Sequence, residues 1–139
     1  MLNSWLFSGF ASSVCFAGMV LVYKKLLTMG IKPLILNLFL FGFVFIGFSI
    51  WNFTARTRFD LSKRMIALLL LAAVFSLLGN FFDVNAVKAA PNPGFATTIK
   101  SSQIILITIL APILFGSSLS LSTGLGTVLV VLGIFMITV

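Results

Sequence analysis

The sequence predicts an all-α membrane protein that crosses the bilayer five times. Of its 139 residues, 60% are hydrophobic and 8% are charged, and the mean hydropathy is +1.25. A soluble domain usually carries about a quarter charged residues, so this chain has too few polar side chains to cover a surface in water. Its charges separate four uncharged runs, which are residues 1–23, 33–55, 65–82 and 101–139.

The lengths of these runs set the number of helices. One crossing needs roughly 20 apolar residues, so each of the first three runs accounts for one helix. The last 39 residues would form a helix of about 58 Å, nearly twice the roughly 30 Å hydrocarbon core. This run must fold back, with its hinge in "GSSLSLSTG" (116–124). We predict one domain, residues 1–139, with helices at about 4–28, 33–53, 62–88, 94–115 and 121–139.

Glycine and proline mark the ends of several predicted helices. Gly30 suits the C-cap of the first helix, and Pro33 suits the first turn of the second. Pro91 and Pro93 favour extended backbone in the residues before them and prevent the third and fourth helices from fusing. The connections are therefore short, and the protein must act within or across the bilayer.

Composition argues against several classes of function. The net charge of +7 comes from basic residues that flank apolar runs, where they anchor helices at the interface, so nucleic acid is not an expected partner. The chain has one cysteine, Cys15, no histidine, and only Asp60 and Asp83 as acids. A metal site, a catalytic triad or a carboxylate pair is hard to assemble from this set. We expect no metal, no cofactor and no enzymatic activity.

The third predicted helix carries a polar stripe. Ser76, Asn80 and Asp83 fall at i, i+4 and i+7 and share one face. Because a charge in hydrocarbon costs roughly 2.5–3.5 kcal/mol, such a stripe is expected to face a protein or water-filled interior. We predict that these residues bind substrate or ion. The simpler alternative is that Asp83 ends the helix among lipid headgroups and is solvated.

The fourth predicted helix also has polar residues near its start. Lys100, Ser101 and Gln103 lie close to one face and are our second group of candidate binding residues. Lys100 is an interfacial anchor in one interpretation; in the other, it pairs with Asp83 or contacts an anionic substrate. Asp83 and Lys100 lie at similar distances on either side of the proline break, which predicts that they face each other.

The last predicted helix carries a line of small residues. Ser122, Gly126 and Gly133 share a face that would let another helix approach closely.

Five crossings place the termini on opposite sides, and basic residues are nearly balanced between the two sides, so the positive-inside rule selects neither orientation. They are Arg56, Arg58, Lys63 and Arg64 on one side, and Lys24, Lys25, Lys32 and Lys88, with Lys100 as a possible fifth, on the other. This balance favours copies inserted both ways and paired antiparallel.

Three stretches resemble one transporter family. The last 30 residues, "LAPILFGSSLSLSTGLGTVLVVLGIFMITV" (110–139), look like the closing segment of EamA-type members of the drug/metabolite transporter superfamily. That segment has a proline-containing helix, a Phe-Gly turn and then two glycines seven apart, here Gly126 and Gly133. "YKKLLTMGIKPLILN" (23–37) and "NAVKAAPNPGFATTI" (85–99) are similar to the first-helix end and to the entry into the fourth helix of small, single-repeat members.

The resemblance implies a fold and a class of function. Five helices equal one half of an inverted-repeat ten-helix transporter, which two copies would complete. The family usually has Glu after the Phe-Gly turn, where this chain has Ser117, so no role of that acid carries over.

The function expected from these features is transport across the membrane. We predict a transporter of small metabolites or amphipathic solutes in the plasma (inner) membrane, surrounded by lipid and acting by alternating access as a homodimer or with a paired homologous subunit. Two alternatives are a non-transporting subunit of a larger complex and a lipid-carrier translocase, which would need a lateral opening lined by Lys88 and Lys100.

Overall fold

The computed structural model describes residues 4–57, 59–118 and 120–138, and these form helices joined by short connections. No strand occurs among them, which confirms the predicted all-α fold. The charge counted at Arg58 and the predicted helix end at Val139 lie outside the described residues. The helices are α1 (Ser4–Thr28), α2 (Pro33–Ala55), α3 (Lys63–Ala89), α4 (Pro93–Lys100), α5 (Gln103–Phe115) and α6 (Leu121–Thr138).

The helices have the lengths that membrane crossing requires. By length and composition, α1, α2, α3 and the segment Pro93–Phe115, which contains α4 and α5, can each span a bilayer. The 18 residues of α6 extend about 27 Å, close to the roughly 30 Å core. Helices suit this environment because they satisfy their own backbone hydrogen bonds where no water is present.

By its internal contacts the chain divides into two compact units, Met1–Ala89 and Ala90–Val139. The first contains α1, α2 and α3, each of which packs against the other two. Its buried side chains cluster where α1 and α3 end and α2 begins, and the opposite halves of the three helices are exposed. The buried apolar residues of these helices are Val20, Tyr23, Leu27, Leu36, Val84 and Val87.

Polar caps begin three of the helices. The Ser62 hydroxyl accepts from the Met65 backbone N–H at 3.3 Å at the start of α3. The Asn92 side chain accepts from Gly94 N–H at 2.8 Å at the start of α4, and Ser120 accepts from Thr123 N–H at 3.1 Å before α6. Each cap satisfies an N–H group that the helix leaves without an intrahelical partner.

The ends of α1 and α2 use left-handed backbone. Gly30 has φ +95°, and Ile31 N–H bonds back to Leu26 C=O at 3.3 Å, which is the long-range bond of a Schellman motif. The predicted C-cap at Gly30 and the predicted start of α2 at Pro33 are thus confirmed. Arg56 closes α2 with φ 50°, a conformation that costs a non-glycine residue about 1 kcal/mol.

In the second unit, the predicted fourth helix is the span Pro93–Phe115, and a tightened turn between α4 and α5 interrupts it. Between α4 and α5, Ser102 N–H bonds to Ile99 C=O at 3.0 Å and Ile104 N–H bonds to Ser101 C=O at 3.0 Å. These i→i−3 bonds tighten the turn. The hydroxyls of Thr97, Thr98 and Ser101 accompany the change, because each bonds to the carbonyl four residues earlier at 2.9–3.0 Å, a pattern that bends helices.

We predict that Gly30→Ala lowers the melting temperature of the protein in detergent while Gly18→Ala does not. A methyl group added at either position would meet no described atom within 4 Å, so only backbone conformation separates the two variants. Alanine at φ +95° costs roughly 1 kcal/mol, whereas alanine inside α1 favours the helix. Equal melting temperatures for the two variants, measured by thermal unfolding of the purified proteins, would contradict this reading of the turn.

Candidate functional site

Polar side chains from three helices meet in the buried end of the first unit. They are Tyr23 and Lys24 of α1, Asn37 of α2, and Asn80 and Asp83 of α3, and we call them the polar cluster. Tyr23 is 2%, Asp83 7% and Asn37 9% exposed, while Lys24 and Asn80 are half-buried. Polar groups in membrane-spanning helices are costly, so the polar cluster is the candidate functional site of the first unit.

Lys24 fastens α1 to the end of α3. Its ammonium donates to the Val87 carbonyl at 3.1 Å and to the Lys88 carbonyl at 3.4 Å. Carbonyls in the last turn of a helix have no intrahelical partner and carry the negative end of the helix dipole. A cation therefore stabilises these carbonyls in two ways: it donates a charge-assisted hydrogen bond, and its charge interacts favourably with the helix dipole. This contact joins residues 63 positions apart in the chain.

Asn37 fastens α2 to α3 at the next level of the bundle. Its Nδ2 donates to the Asn80 backbone carbonyl at 3.4 Å. The Asn80 side chain bonds within its own helix, to the Ser76 carbonyl at 2.8 Å and the Ser76 hydroxyl at 3.4 Å. Solvent exposure therefore falls along the predicted stripe: Ser76 is exposed, Asn80 is half-buried and Asp83 is buried.

Asp83 is the acid of the cluster. Its low exposure does not fit the simpler interpretation, in which it was solvated at the helix end. It interacts electrostatically with Tyr23, and Lys24 binds the Val87 carbonyl one helical turn further along α3. The segment 33–55 of α2 carries no charge. The charged members of the polar cluster are the Asp83 carboxylate and the Lys24 ammonium, and Lys88 is exposed at the end of α3.

Two atoms of the cluster have no hydrogen-bond partner among the described residues. They are the Tyr23 hydroxyl and the Asn37 Oδ1, both buried. Leaving a buried donor or acceptor without a partner costs roughly 1–3 kcal/mol. Native proteins satisfy nearly all such groups with protein or ordered water, so each of these two atoms needs a further hydrogen-bond partner.

The other predicted binding residues lie in the second unit. Lys100, Ser101 and Gln103 are exposed, and the Ser101 hydroxyl bonds to the Thr97 carbonyl at 3.0 Å. Lys100 ends α4 and Gln103 begins α5, so they flank the tightened turn. Asp83 belongs to the first unit, and its pairing with Lys100 stays a prediction.

The predicted packing residues of the last helix are open in this chain. A methyl group at Gly126 or Gly133 would meet no described atom within 4 Å, and Ser122 is exposed. Contact between α5 and α6 includes Thr108 and Thr127 instead, whose hydroxyls are 3.4 Å apart. The small-residue face therefore stays a prediction for contact with another helix.

Sequence reasoning missed Tyr23, Lys24 and Asn37 as members of the site. Lys24 was read as an interfacial anchor because it ends a hydrophobic run beside Lys25. Asn37 carried a usable signal, since an asparagine one turn inside an apolar helix needs a partner. Which of two adjacent lysines reaches α3 depends on helix rotation, which the sequence does not reveal.

The chemistry open to this cluster is proton or ion exchange at a carboxylate. Among the described residues, no group of three or more His, Cys, Asp or Glu side chains could hold a metal ion. One acid with an amide and a phenol nearby can gain or lose a proton, or contact a small cation or polar group.

The chain matches the model of a known protein family. A family model described as the EamA-like transporter family matches residues 3–139, nearly the whole chain. No curated protein and no solved structure matches.

We predict that Lys24→Gln destabilises the protein and that Lys25→Gln does not. Lys24 makes the charge-assisted bonds to α3, which are worth about 1.5–3 kcal/mol, whereas Lys25 is exposed. The two variants remove the same charge from the same helix end, so the difference between their melting temperatures isolates the contact with α3.

Lys24→Arg serves as the conservative variant, because it keeps a cation within reach of the two carbonyls. It should retain more stability than Lys24→Gln. Equal losses from Lys24→Gln and Lys25→Gln would show that the contact contributes nothing beyond interfacial charge.

Proposed function

The chain belongs to the EamA-like transporter family, and we propose that it moves a small metabolite or amphipathic solute across the plasma (inner) membrane by alternating access. The family match over residues 3–139 and the four long apolar helices support a multi-pass transporter. The polar cluster supplies a place in the first unit where a transported ion or solute could be bound.

The burial of Asp83 is the observation that carries this proposal. Asp83 is one of only two acids in the chain, and it lies 7% exposed on a membrane-spanning helix. An ionisable group at such a place is costly, and in transporters it serves proton relays or ion binding. We assign it the role of proton-coupling or cation-binding group, with Asn80 and Ser76 on the same face of α3 as its neighbours.

Lys100, Ser101 and Gln103 are assigned the complementary role in the second unit. In this proposal Lys100 pairs with Asp83 or contacts an anionic group of the solute. Their position beside the tightened turn between α4 and α5 supports this assignment, because interrupted helices are a common feature of transporter binding sites.

We further propose that two copies act together, as an antiparallel homodimer or with a paired homologous subunit. Five helices supply one half of an inverted-repeat transporter. The exposed small-residue face of α6, with Gly126 and Gly133 open to a close approach, supports contact with a helix of another chain.

One prediction of the proposed function concerns the coupling of transport to a pH gradient. Asp83→Asn should reduce uptake driven by an imposed pH gradient at least tenfold, because the amide cannot exchange a proton. Proteoliposomes would be screened with labelled amino acids, nucleosides and organic amines, and the responding solute carried forward. Asp60→Asn is the matched control: Asp60 is the other acid of the chain and is exposed in the connection between α2 and α3.

Each result of this assay has a defined meaning. Loss of gradient-driven uptake in Asp83→Asn with normal uptake in Asp60→Asn supports the role of Asp83. Unchanged pH dependence in Asp83→Asn removes this residue from the coupling mechanism.

Another prediction of the proposed function concerns the orientation of the chain in the membrane. The chain would be fused at its C-terminus to each of two reporters in turn, one active only in the cytoplasm and one only outside it. Antiparallel pairing of identical copies predicts activity from both fusions, since basic residues are nearly balanced between the two sides. Activity from one fusion alone would rule out an antiparallel homodimer and leave a paired homologous subunit.

A further inference from the structure

The unpaired atoms of Tyr23 and Asn37 define the hydrogen bonds that a molecule must make to satisfy both of them. Asn37 uses its Nδ2 to donate to the Asn80 carbonyl, and reversing the amide would place oxygen against oxygen. The orphaned atom of Asn37 is therefore an acceptor. Tyr23 offers a hydroxyl that can donate one hydrogen bond.

Tyr23 and Asn37 lie at similar levels of the bundle. Tyr23 is about one and a half turns before the end of α1, and Asn37 is about one turn after the start of α2. The connection between these helices spans only residues 29–32, so the two side chains stand at similar depths. Asp83 is near enough for an electrostatic interaction with Tyr23.

We propose that a water molecule is bound among Tyr23, Asn37 and Asp83. It accepts from the Tyr23 hydroxyl and donates to the Asn37 Oδ1 and to the Asp83 carboxylate. Those three hydrogen bonds are the usual number for a buried water, and they satisfy both orphaned atoms at once.

Charge favours water over an ammonium ion, which could make similar bonds. The Lys24 ammonium binds the Val87 carbonyl one helical turn from Asp83, so the cluster already contains a cation for its carboxylate. A second cation would meet repulsion from the first, whereas a neutral molecule does not.

The bound water would also take part in proton exchange at Asp83, and this role rests on the proposed function. A coupling carboxylate must exchange its proton with the solution, and a water held against Asp83 supplies the first acceptor along that route. The water itself is tested on the protein without any solute, so its absence and a failure of Asp83-dependent transport are separate results.

The direct test is radiolytic hydroxyl labelling of the wild-type protein in proteoliposomes. A bound water generates the labelling radical next to its neighbours, so Tyr23 should be labelled although it is 2% exposed. Leu36, which is 4% exposed in the same part of the bundle, is the dry control and should stay unlabelled. Absence of label on Tyr23 would overturn the proposal.

The melting temperature of Tyr23→Phe gives a second test, because its change differs with and without a bound water. If the Tyr23 hydroxyl binds water, Tyr23→Phe removes a hydrogen bond and should lower the melting temperature. If the hydroxyl has no partner, the same change deletes an unmet polar group and should leave the melting temperature unchanged or raise it, which would overturn the proposal. Stabilisation by methylammonium chloride beyond that by sodium chloride would also overturn it, in favour of a bound ammonium group.

Discussion

The contact of Lys24 with the last carbonyls of α3 holds together the buried end of the first unit, where the polar cluster lies. Hydrocarbon offers no water to the carbonyls at a helix end, so a buried end needs a partner from the protein. Lys24 supplies it by donating to Val87 and Lys88. Because this contact joins the C-terminal ends of α1 and α3, it brings Tyr23 and Asp83 into the same region.

The rest of the polar cluster follows from that contact. With α1 and α3 fixed, the short 29–32 connection places the start of α2 beside them, and Asn37 reaches the Asn80 carbonyl. The Lys24 ammonium then binds the Val87 carbonyl one helical turn from Asp83 and places a cation near that carboxylate.

The second unit follows a different principle. Its hydroxyl groups satisfy neighbouring backbone carbonyls, as in Thr97, Thr98 and Ser101, and the helix tightens between α4 and α5. Local hydrogen bonds hold this turn. The two units therefore differ in how they hold polar groups within the span.

Hydrophobic run length by itself determined that this is an all-α membrane protein, and it predicted five crossings because bilayer thickness sets the length of a spanning helix. Proline and glycine chemistry likewise determined the turn at Gly30 and the start of α2 at Pro33. The acid most worth testing, Asp83, was also evident, since only two acids occur. Only the tertiary structure decided which of Lys24 and Lys25 binds α3, and that Asn37 and Tyr23 join Asp83. Those choices depend on the rotation of each helix about its axis, which distant contacts set and which near-uniform hydrophobicity around the helix leaves open.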